Sequence, residues 1–380
     1  MRSNYVFAAK AYQQRLGRLT GIVVLTSPLK TTTVATLQRR ILEYARLKEK
    51  RWIGATDCPQ KIIKDPSHVR DLINWATDYH LISEGNHTWT WQGKVLNALT
   101  SQNQKDAFLQ RKLFLPNPLE LTDEQILFYL YIFLEADGLF LVPFLETLSS
   151  KEEFRLSSEE GFQNEDVRVD YRDSWNKLAQ ALEKSSSYSR RKEGRVLEKR
   201  IKKLKPRSLY IKTLTKLETL VDLKLLKRLT KHQAHYLPLK KKLETFKSFP
   251  PLEELARKDQ LESFLEEHFF HISSRIYNTD EESSELNRSM LLERYLAQSY
   301  LKLTSKGWEI IKRNELNLLT SIIALTQHPH LILEPAKIAD SQLELLEKYG
   351  PKQIQLFGDY EGKLSSIKIG KSTIEKMLAS

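Results

Sequence analysis

The chain has 380 residues, and its 41% hydrophobic and 28% charged residues are the balance of a globular protein, which excludes a wholly disordered chain. The single cysteine, Cys58, excludes an intramolecular disulfide and any metal site built from several thiolates, and it favours a reducing, cytoplasmic location. The formal net charge of +12 favours a polyanionic partner, with nucleic acid ahead of an anionic membrane.

Glycine usage indicates the fold class. The chain has 13 glycines in 380 residues, and scarce glycine with abundant Leu, Lys and Glu favours helices over turn-rich sheets. The first apolar run is too short for a secretory signal, and no stretch approaches the roughly 18 consecutive apolar residues of a membrane span. We therefore expect a mainly α protein with small β-wings and a small α+β tail, and no membrane span.

The first predicted domain covers residues 1–115. Apolar residues at helical spacing predict one helix within residues 31–50 and a second from Pro66 to His80. Residues 81–91 then form two short extended pieces around a Gly-Asn turn, and Gln92-Gly93 precedes a further helix. The order of these elements is helix, helix, hairpin, helix.

The second predicted domain covers residues 116–185. Its most apolar stretch, residues 126–145, contains Glu135, Asp137 and Pro143, and we interpret it as a buried helical hairpin that turns near Gly138. The polar stretch from residue 150 to 173 predicts a loop or a linker.

The third predicted domain, residues 186–250, is a basic helical segment. From Arg190 to Lys247 there are twenty basic residues and five acidic ones, a net charge of +15, so the remainder of the chain carries −3. Clustered cations follow a phosphate backbone and release its counterions, and Tyr188 and Tyr210 could stack on exposed bases. The phosphate-binding candidates are the ten densest: Arg190, Arg191, Lys192, Arg195, Lys199, Arg200, Lys202, Lys203, Lys205 and Arg207.

The same segment has apolar residues at helical spacing, which leaves other interpretations open. Leu197, Ile201 and Leu204 would bury one face, and the cations would then form a solvated face or a contact with a protein partner. A basic amphipathic helix could also lie on anionic lipid.

The fourth predicted domain covers residues 251–380. A helix through residues 286–296 leads to an extended piece at residues 300–304, and a second helix starts at Trp308. The tail then predicts a strand at residues 331–333, a helix at residues 341–349 and a hairpin that pairs residues 353–357 with residues 364–369.

Residues 89–96 and 302–310 share an extended apolar piece, a polar residue with glycine, and a helix. They resemble the Leu-Thr-x-x-Gly-x-x-Ile/Leu signature that ends winged helix-turn-helix domains, although Trp91 shortens the spacing in the first. The resemblance implies that the helix before each wing is a recognition helix. In the first domain this implies groove-facing side chains at Ser67, His68, Arg70, Asp71 and Asn74, because Arg and Asn can bind base edges through two hydrogen bonds.

Acidic residues in the helices before the two wings favour a protein partner over nucleic acid. Asp71 and Asp78, in the helix before the first wing, would repel phosphate, and winged helices also mediate protein contacts. The helix before the second wing contains Glu281, Glu282, Glu285 and Glu293, which favours a protein partner for the C-terminal domain.

The sequence predicts no catalytic residue, no cofactor and no metal ligand. The chain contains neither a Gly-rich phosphate loop nor an H-E-x-x-H motif, and His328-Pro329-His330 is typical of a loop. The enzymatic alternative is a metal-dependent nuclease, in which Glu361-Gly362-Lys363 would act with Asp359 or Asp340.

The sequence therefore predicts a non-catalytic protein that binds nucleic acid, with double-stranded DNA favoured over RNA. The basic segment would follow phosphates and the first winged helix would orient the complex. The competing hypothesis is a structural adaptor, because winged helices at both ends of a helical middle also resemble kleisin-type subunits of chromosome-organising ATPases.

Overall fold

The computed structural model describes residues 5–6, 15–26, 33–48, 66–109, 119–156, 167–230, 233–257, 259–277, 288–304 and 309–379. The first part of the chain is helical: α1 (Gly17–Leu25), α2 (Val34–Lys48), α3 (Pro66–Asp78), α4 (Trp91–Leu99), α5 (Gln102–Phe108) and α6 (Asp123–Ser149). The two helices that the apolar spacing predicts are thereby confirmed as α2 and α3.

The middle of the chain mixes helices with a small sheet. Its elements are β1 (Phe154–Arg155), α7 (Val167–Glu183), α8 (Tyr188–Lys202), α9 (Pro206–Asp222), β2 (Leu226–Arg228), β3 (His235–Pro238), α10 (Lys240–Glu244), a 3-10 turn at Thr245–Ser248, and α11 (Leu252–Leu255). The sheet is antiparallel in the order β1-β3-β2. The prediction of an entirely helical basic segment is therefore wrong after Asp222, where β2 and β3 pair.

The C-terminal part forms a second antiparallel sheet, in the order β4-β6-β5. Its elements are α12 (Gln260–Tyr277), α13 (Arg288–Leu303), β4 (Ile311–Lys312), α14 (Arg313–Gln327), α15 (Pro335–Tyr349), β5 (Ile354–Gly358), β6 (Leu364–Ile369) and α16 (Lys371–Ala379). The predicted hairpin is confirmed, because Ile354 lies opposite Ile369 and Leu356 lies opposite Ile367. The chain is mainly helical with two small sheets among its described residues, as the composition predicts.

The apolar stretch forms one continuous helix, α6, and the expected hairpin at Gly138 is wrong. A capping box starts the helix, because the Thr122 hydroxyl accepts from the Gln125 amide while the Gln125 side chain accepts from the Thr122 amide. Gly138 lies within the helix, where a Cβ would come 3.0 Å from the Leu261 side chain of α12. Glycine therefore allows close helix packing here, and it does not mark a turn.

Helix α6 lies at the centre of the core. It packs against α4, α7, α10, α11, α12 and α14, which explains why a helix that is apolar on all sides is stable here. Its length and hydropathy would let it cross a bilayer, yet 89% of its most apolar 18-residue window is buried inside the protein, as in the core helix of a folded domain.

The predicted wings differ from the observed structure. In the first, Ile82 and Trp89 form a single antiparallel bridge, and Gln92-Gly93 lies inside α4. A Cβ on Gly93 would come 2.1 Å from the Leu81 carbonyl oxygen, so this glycine allows a close contact and makes no turn. In the second, the expected extended piece is wrong because α13 continues to Leu303.

The structure differs from three further predictions in detail. The polar stretch 150–173 is only partly a loop, because β1 and the first residues of α7 lie within it. The helix expected from Trp308 starts at Arg313, and Ile311–Lys312 pairs with β6 instead. Residues 331–333 belong to neither sheet.

The hydrophobic core is continuous from Leu16 to Met377. It includes residues from each of the four regions that the sequence suggests, and α6 from the second region contacts helices of the other three. The division into four domains stays a prediction from sequence composition.

Candidate nucleic-acid interface

Helix α8 is anchored to the protein through one narrow stripe. Its buried residues, Arg190, Gly194, Leu197 and Ile201, recur at intervals of four, three and four, which places them on one helix face. That face packs on α7. A Cβ on Gly194 would come 2.8 Å from the Ala179 carbonyl oxygen, so glycine sets the close approach of the two helices.

The opposite side of α8 is a continuous basic face. Four of the fifteen residues of α8 are buried, so most of its circumference is open. Eight of the ten predicted phosphate-binding side chains are exposed, and we call this set the basic face: Lys192, Arg195, Lys199, Arg200, Lys202, Lys203, Lys205 and Arg207. From Lys192 to Lys202 the face extends about 15 Å along the helix axis at 1.5 Å per residue.

The basic face has few acidic neighbours to neutralise it. Lys202 pairs with Glu198 at 2.7 Å, and both side chains are exposed, so this ion pair contributes little to stability. The other seven cations of the basic face form no ion pair with any residue that the structure describes. The charge of this face is therefore available to an anionic partner.

Two of the predicted phosphate-binding residues have structural roles instead. Arg190 is only 4% exposed, and its guanidinium lies 3.4 Å from Glu193. Arg191 is half-buried and donates to the carbonyl oxygens of Ser185 and Ser186 at 2.9 and 2.7 Å. Arg191 therefore ties α8 to the α7–α8 connection, whereas Arg190 lies in the buried stripe of α8 and pairs within its own helix.

Aromatic and backbone groups extend the basic face. Tyr188, the first residue of α8, is 74% exposed, whereas Tyr210 packs against the core. Helix α9 begins with Pro206 and has no side-chain cap at Lys205, so its first amide groups point out between Lys205 and Arg207. Such a helix N-terminus favours a phosphate through its dipole and its free N–H groups.

The candidates on α3 lie on a different part of the structure. Arg70 and Asn74 are exposed one helical turn apart, while the side chains of Ser67 and His68 lie outside the described residues. Asp71 and Asp78 are half-buried, and burial raises the pKa of Asp78 to about 6. Helix α3 packs on α1 and α2, whereas α8 packs on α7, so these contacts do not join the two sets into one patch.

A buried polar centre that the sequence pattern does not reveal connects α6 and α9 with Tyr79, the residue after α3. The Lys216 ammonium of α9 pairs with the Asp137 carboxylate of α6 and donates to the Tyr79 hydroxyl at 3.0 Å. The second Asp137 oxygen accepts from the Val6 amide at 2.7 Å. The rings of Tyr79, Phe133 and Phe140 lie 5.8–5.9 Å from the ammonium.

This centre is structural, since neither charged side chain reaches the surface. Lys216 and Asp137 are 4% and 0% exposed, and burial raises the pKa of Asp137 above its ordinary value. The sequence signal was Asp137 within an apolar stretch, with Lys216 between Thr215 and Leu217 on another helix. Each buried charge needs a partner, so two such residues are candidates for pairing.

The nuclease motif has a turn-forming role in the structure. The Asp359 carboxylate accepts from the amides of Glu361 and Lys363 at 3.0 and 2.9 Å, which holds the β5–β6 turn around Gly362. Asp340 lies on α15. Among the described residues, no group of three or more His, Cys, Asp and Glu side chains is placed to hold a metal ion.

One acidic residue of the C-terminal domain, Glu293, is placed differently from the expectation. Glu293 is buried and binds Lys348 and the Tyr349 hydroxyl at 2.5 and 2.7 Å, so it does not present a charge to a partner. Residues 281–285 and Cys58 lie outside the described part of the chain. His328 and His330 lie in the turn that follows α14, as the sequence predicts.

Comparisons with protein-family models, with curated proteins and with solved structures found no match for this chain. A functional proposal therefore depends on the geometry and the charge of the described surface.

Proposed function

We propose that this protein binds nucleic acid without catalysing a reaction on it, and that its preferred ligand is double-stranded DNA. The observation that supports the proposal is the basic face, where eight exposed cations project from α8, the turn after it and the first turn of α9. Lysine and arginine side chains that neutralise phosphates release condensed counterions, which supplies most of the sequence-independent affinity.

The shape of α8 favours B-form DNA over double-stranded RNA. An α-helix with its side chains is about 10–12 Å across, and the major groove of B-DNA is about 12 Å wide. The major groove of A-form RNA is too deep and narrow for side chains to read. Because α8 is held mainly through its narrow stripe on α7, its open sides can lie along such a groove.

The proposed contact is mainly with the backbone, with a second contact from α3. About 15 Å of B-DNA carries roughly nine phosphate charges, which is enough to engage the five cations of the basic face that lie on α8. In α3, Arg70 and Asn74 could orient the complex, since both are exposed on one side of the helix. We expect weak sequence preference, because lysines that meet phosphates carry no base readout.

Charge-neutralised variants test this proposal. The triple variant Lys192→Gln, Arg195→Gln and Lys199→Gln removes three cations from the α8 part of the basic face. We expect it to bind a labelled DNA duplex at least tenfold more weakly in low salt, and to reduce the salt slope by roughly 2.7, at about 0.9 per lost phosphate contact. Fluorescence anisotropy measures both quantities.

The matched control removes the same charge elsewhere. Lys363, Lys371 and Lys376 are exposed on the C-terminal part, and their triple Gln variant has the same net charge as the first. Equal loss of affinity in both variants would show that only net charge matters. In that case the basic face would not be the binding surface. Weak or absent DNA binding by the wild-type protein alone would instead favour the adaptor hypothesis, in which DNA binding needs a protein partner.

A further inference from the structure

A cavity of about 250 Å³ lies where the start of α6, the end of α9, α10, α12 and α14 meet. Its floor is apolar and includes Ile126, Leu127 and Leu325. An apolar protein cavity of about 150 Å³ holds benzene, so the observed volume has room for one ring with a charged substituent. The size fits a small molecule and excludes a nucleotide strand or a helix.

Among the described residues that line this cavity, two are lysines and one, Asp123, is a carboxylate. Lys224 pairs with Asp123 at 2.8 Å, which leaves Lys242 as the second cation. The Lys242 ammonium lies 5.1 Å from the centre of the Tyr277 ring and has no carboxylate partner among the described residues. Burial lowers the pKa of Lys242, and the nearby Lys224 lowers it further, although Asp123 opposes this effect.

The backbone places Lys224 at a position that usually holds glycine. The Leu225 amide donates to the Leu220 carbonyl and the Lys224 amide donates to the Val221 carbonyl, both at 3.0 Å, which is a Schellman motif at the end of α9. Lys224 is its left-handed residue, with φ of 54°. Glycine would adopt this conformation at lower cost, whereas lysine brings an ammonium group to the cavity.

The aromatic wall is held in place by a hydrogen bond. The Tyr277 hydroxyl donates to the Leu223 carbonyl oxygen at 2.9 Å, next to the Schellman motif. The ring is therefore fixed between the end of α9 and the Lys242 ammonium. A flat apolar group that enters the cavity would meet a preformed aromatic surface, with the two cations beside it.

We propose that this cavity binds a small organic anion, namely a carboxylate attached to a single aromatic ring or an apolar body of similar size. The carboxylate would pair with Lys242 and share Lys224 with Asp123, and the apolar body would cover Ile126, Leu127 and Leu325. Inorganic phosphate lacks the apolar body that the floor requires. This site does not depend on DNA binding, because α9 extends about 25 Å from the basic face to the cavity.

Calorimetric titration of the full-length protein with benzoate tests the proposal. Benzyl alcohol and inorganic phosphate are the comparison ligands, since one lacks the charge and the other lacks the ring. We expect saturable one-to-one binding of benzoate, and binding at least tenfold weaker for each comparison ligand. We also expect Lys242→Gln to weaken benzoate binding at least tenfold, because a charge-assisted hydrogen bond is lost.

Lys241→Gln is the matched control, because Lys241 is the exposed neighbour of Lys242 on α10. It should bind benzoate with unchanged affinity. If Lys242→Gln does not fold, the wild-type protein with reductively methylated lysines provides a second test. The pKa of the Lys242 amine, followed by NMR, should rise when benzoate binds. Absence of saturable benzoate binding, equal binding of benzyl alcohol, or equal behaviour of the two variants would overturn the proposal.

Discussion

At the residue scale, exposure separates the cations that can bind an anion from those that stabilise the fold. The density of Lys and Arg in the sequence predicts ten phosphate-binding residues, and eight of them are exposed. Arg190 and Arg191 are not exposed, because they lie at the start of α8, where the chain turns back onto α7. Lys216 is buried as well, and its partner Asp137 is so distant in sequence that no local pattern connects the two residues.

The Asp137–Lys216 pair yields a stability prediction. Lys216→Met leaves the Asp137 carboxylate buried without its cation, and we expect the free energy of unfolding to fall by about 3–5 kcal/mol. The additional change Asp137→Asn should recover part of this loss, because the amide oxygen still accepts from the Val6 amide and no charge remains buried. Urea denaturation measures both values, and a loss below about 1 kcal/mol in the single variant would contradict the structural role of the pair.

Asp78 yields a prediction about pH. Burial raises its pKa from 3.8 to about 6 in the folded protein, so its contribution to stability is complete below pH 3.8 and is lost as the pH rises through 6. Asp78→Asn cannot ionise, so the variant does not lose this stability as the pH rises. After allowance for partial exposure, we expect the variant to be more stable than the wild type by roughly 1–2 kcal/mol at pH 7 and equally stable at pH 3.5.

Thermal or urea unfolding at the two pH values tests the Asp78 prediction. If Asp78→Asn is more stable than the wild type by the same amount at both pH values, asparagine would simply favour the C-terminus of α3. That result would contradict the ionisation argument. A loss at pH 7 would show that the Asp78 carboxylate has a favourable partner.

At the element scale, the apolar pattern predicts which segments are helices or hairpins. It fails where packing against elements distant in sequence determines whether a segment stays helical. Local pairing makes the β5–β6 hairpin predictable from its alternation and its turn. In contrast, Gly138 and Pro143 in α6 suggest a break, and the surrounding helices stabilise the unbroken helix instead. The glycines at positions 93, 138 and 194 all allow close contacts with elements that the sequence does not identify.

Gly194 tests the account of how α8 is positioned. In an exposed helix, Gly→Ala stabilises by about 1 kcal/mol. At position 194 the new methyl group would meet the Ala179 carbonyl and Glu183, so we expect Gly194→Ala to destabilise by about 1–3 kcal/mol. Chemical denaturation determines the sign, and a stabilised variant would contradict the close packing of α7 and α8.

At the scale of the whole molecule, charge is distributed unevenly. Residues 190–247 carry +15, and the remainder of the chain carries −3. The structure uses part of the basic charge internally, at Lys216, Arg190 and Arg191, and it leaves the basic face at the surface. Composition could predict that a basic surface exists, whereas its boundaries depend on which side of α8 packs on α7.

The central claim is that DNA binding depends on phosphate contacts of the basic face. The most direct test is fluorescence anisotropy of the wild-type protein with a 20-base-pair duplex, across a salt series with Mg²⁺ present. With up to eight contacts, we expect log K to fall against log salt with a slope of roughly −4 to −7, and the duplex to stay intact on a gel. Absent binding, a slope near zero, or Mg²⁺-dependent cleavage of the duplex would contradict the account.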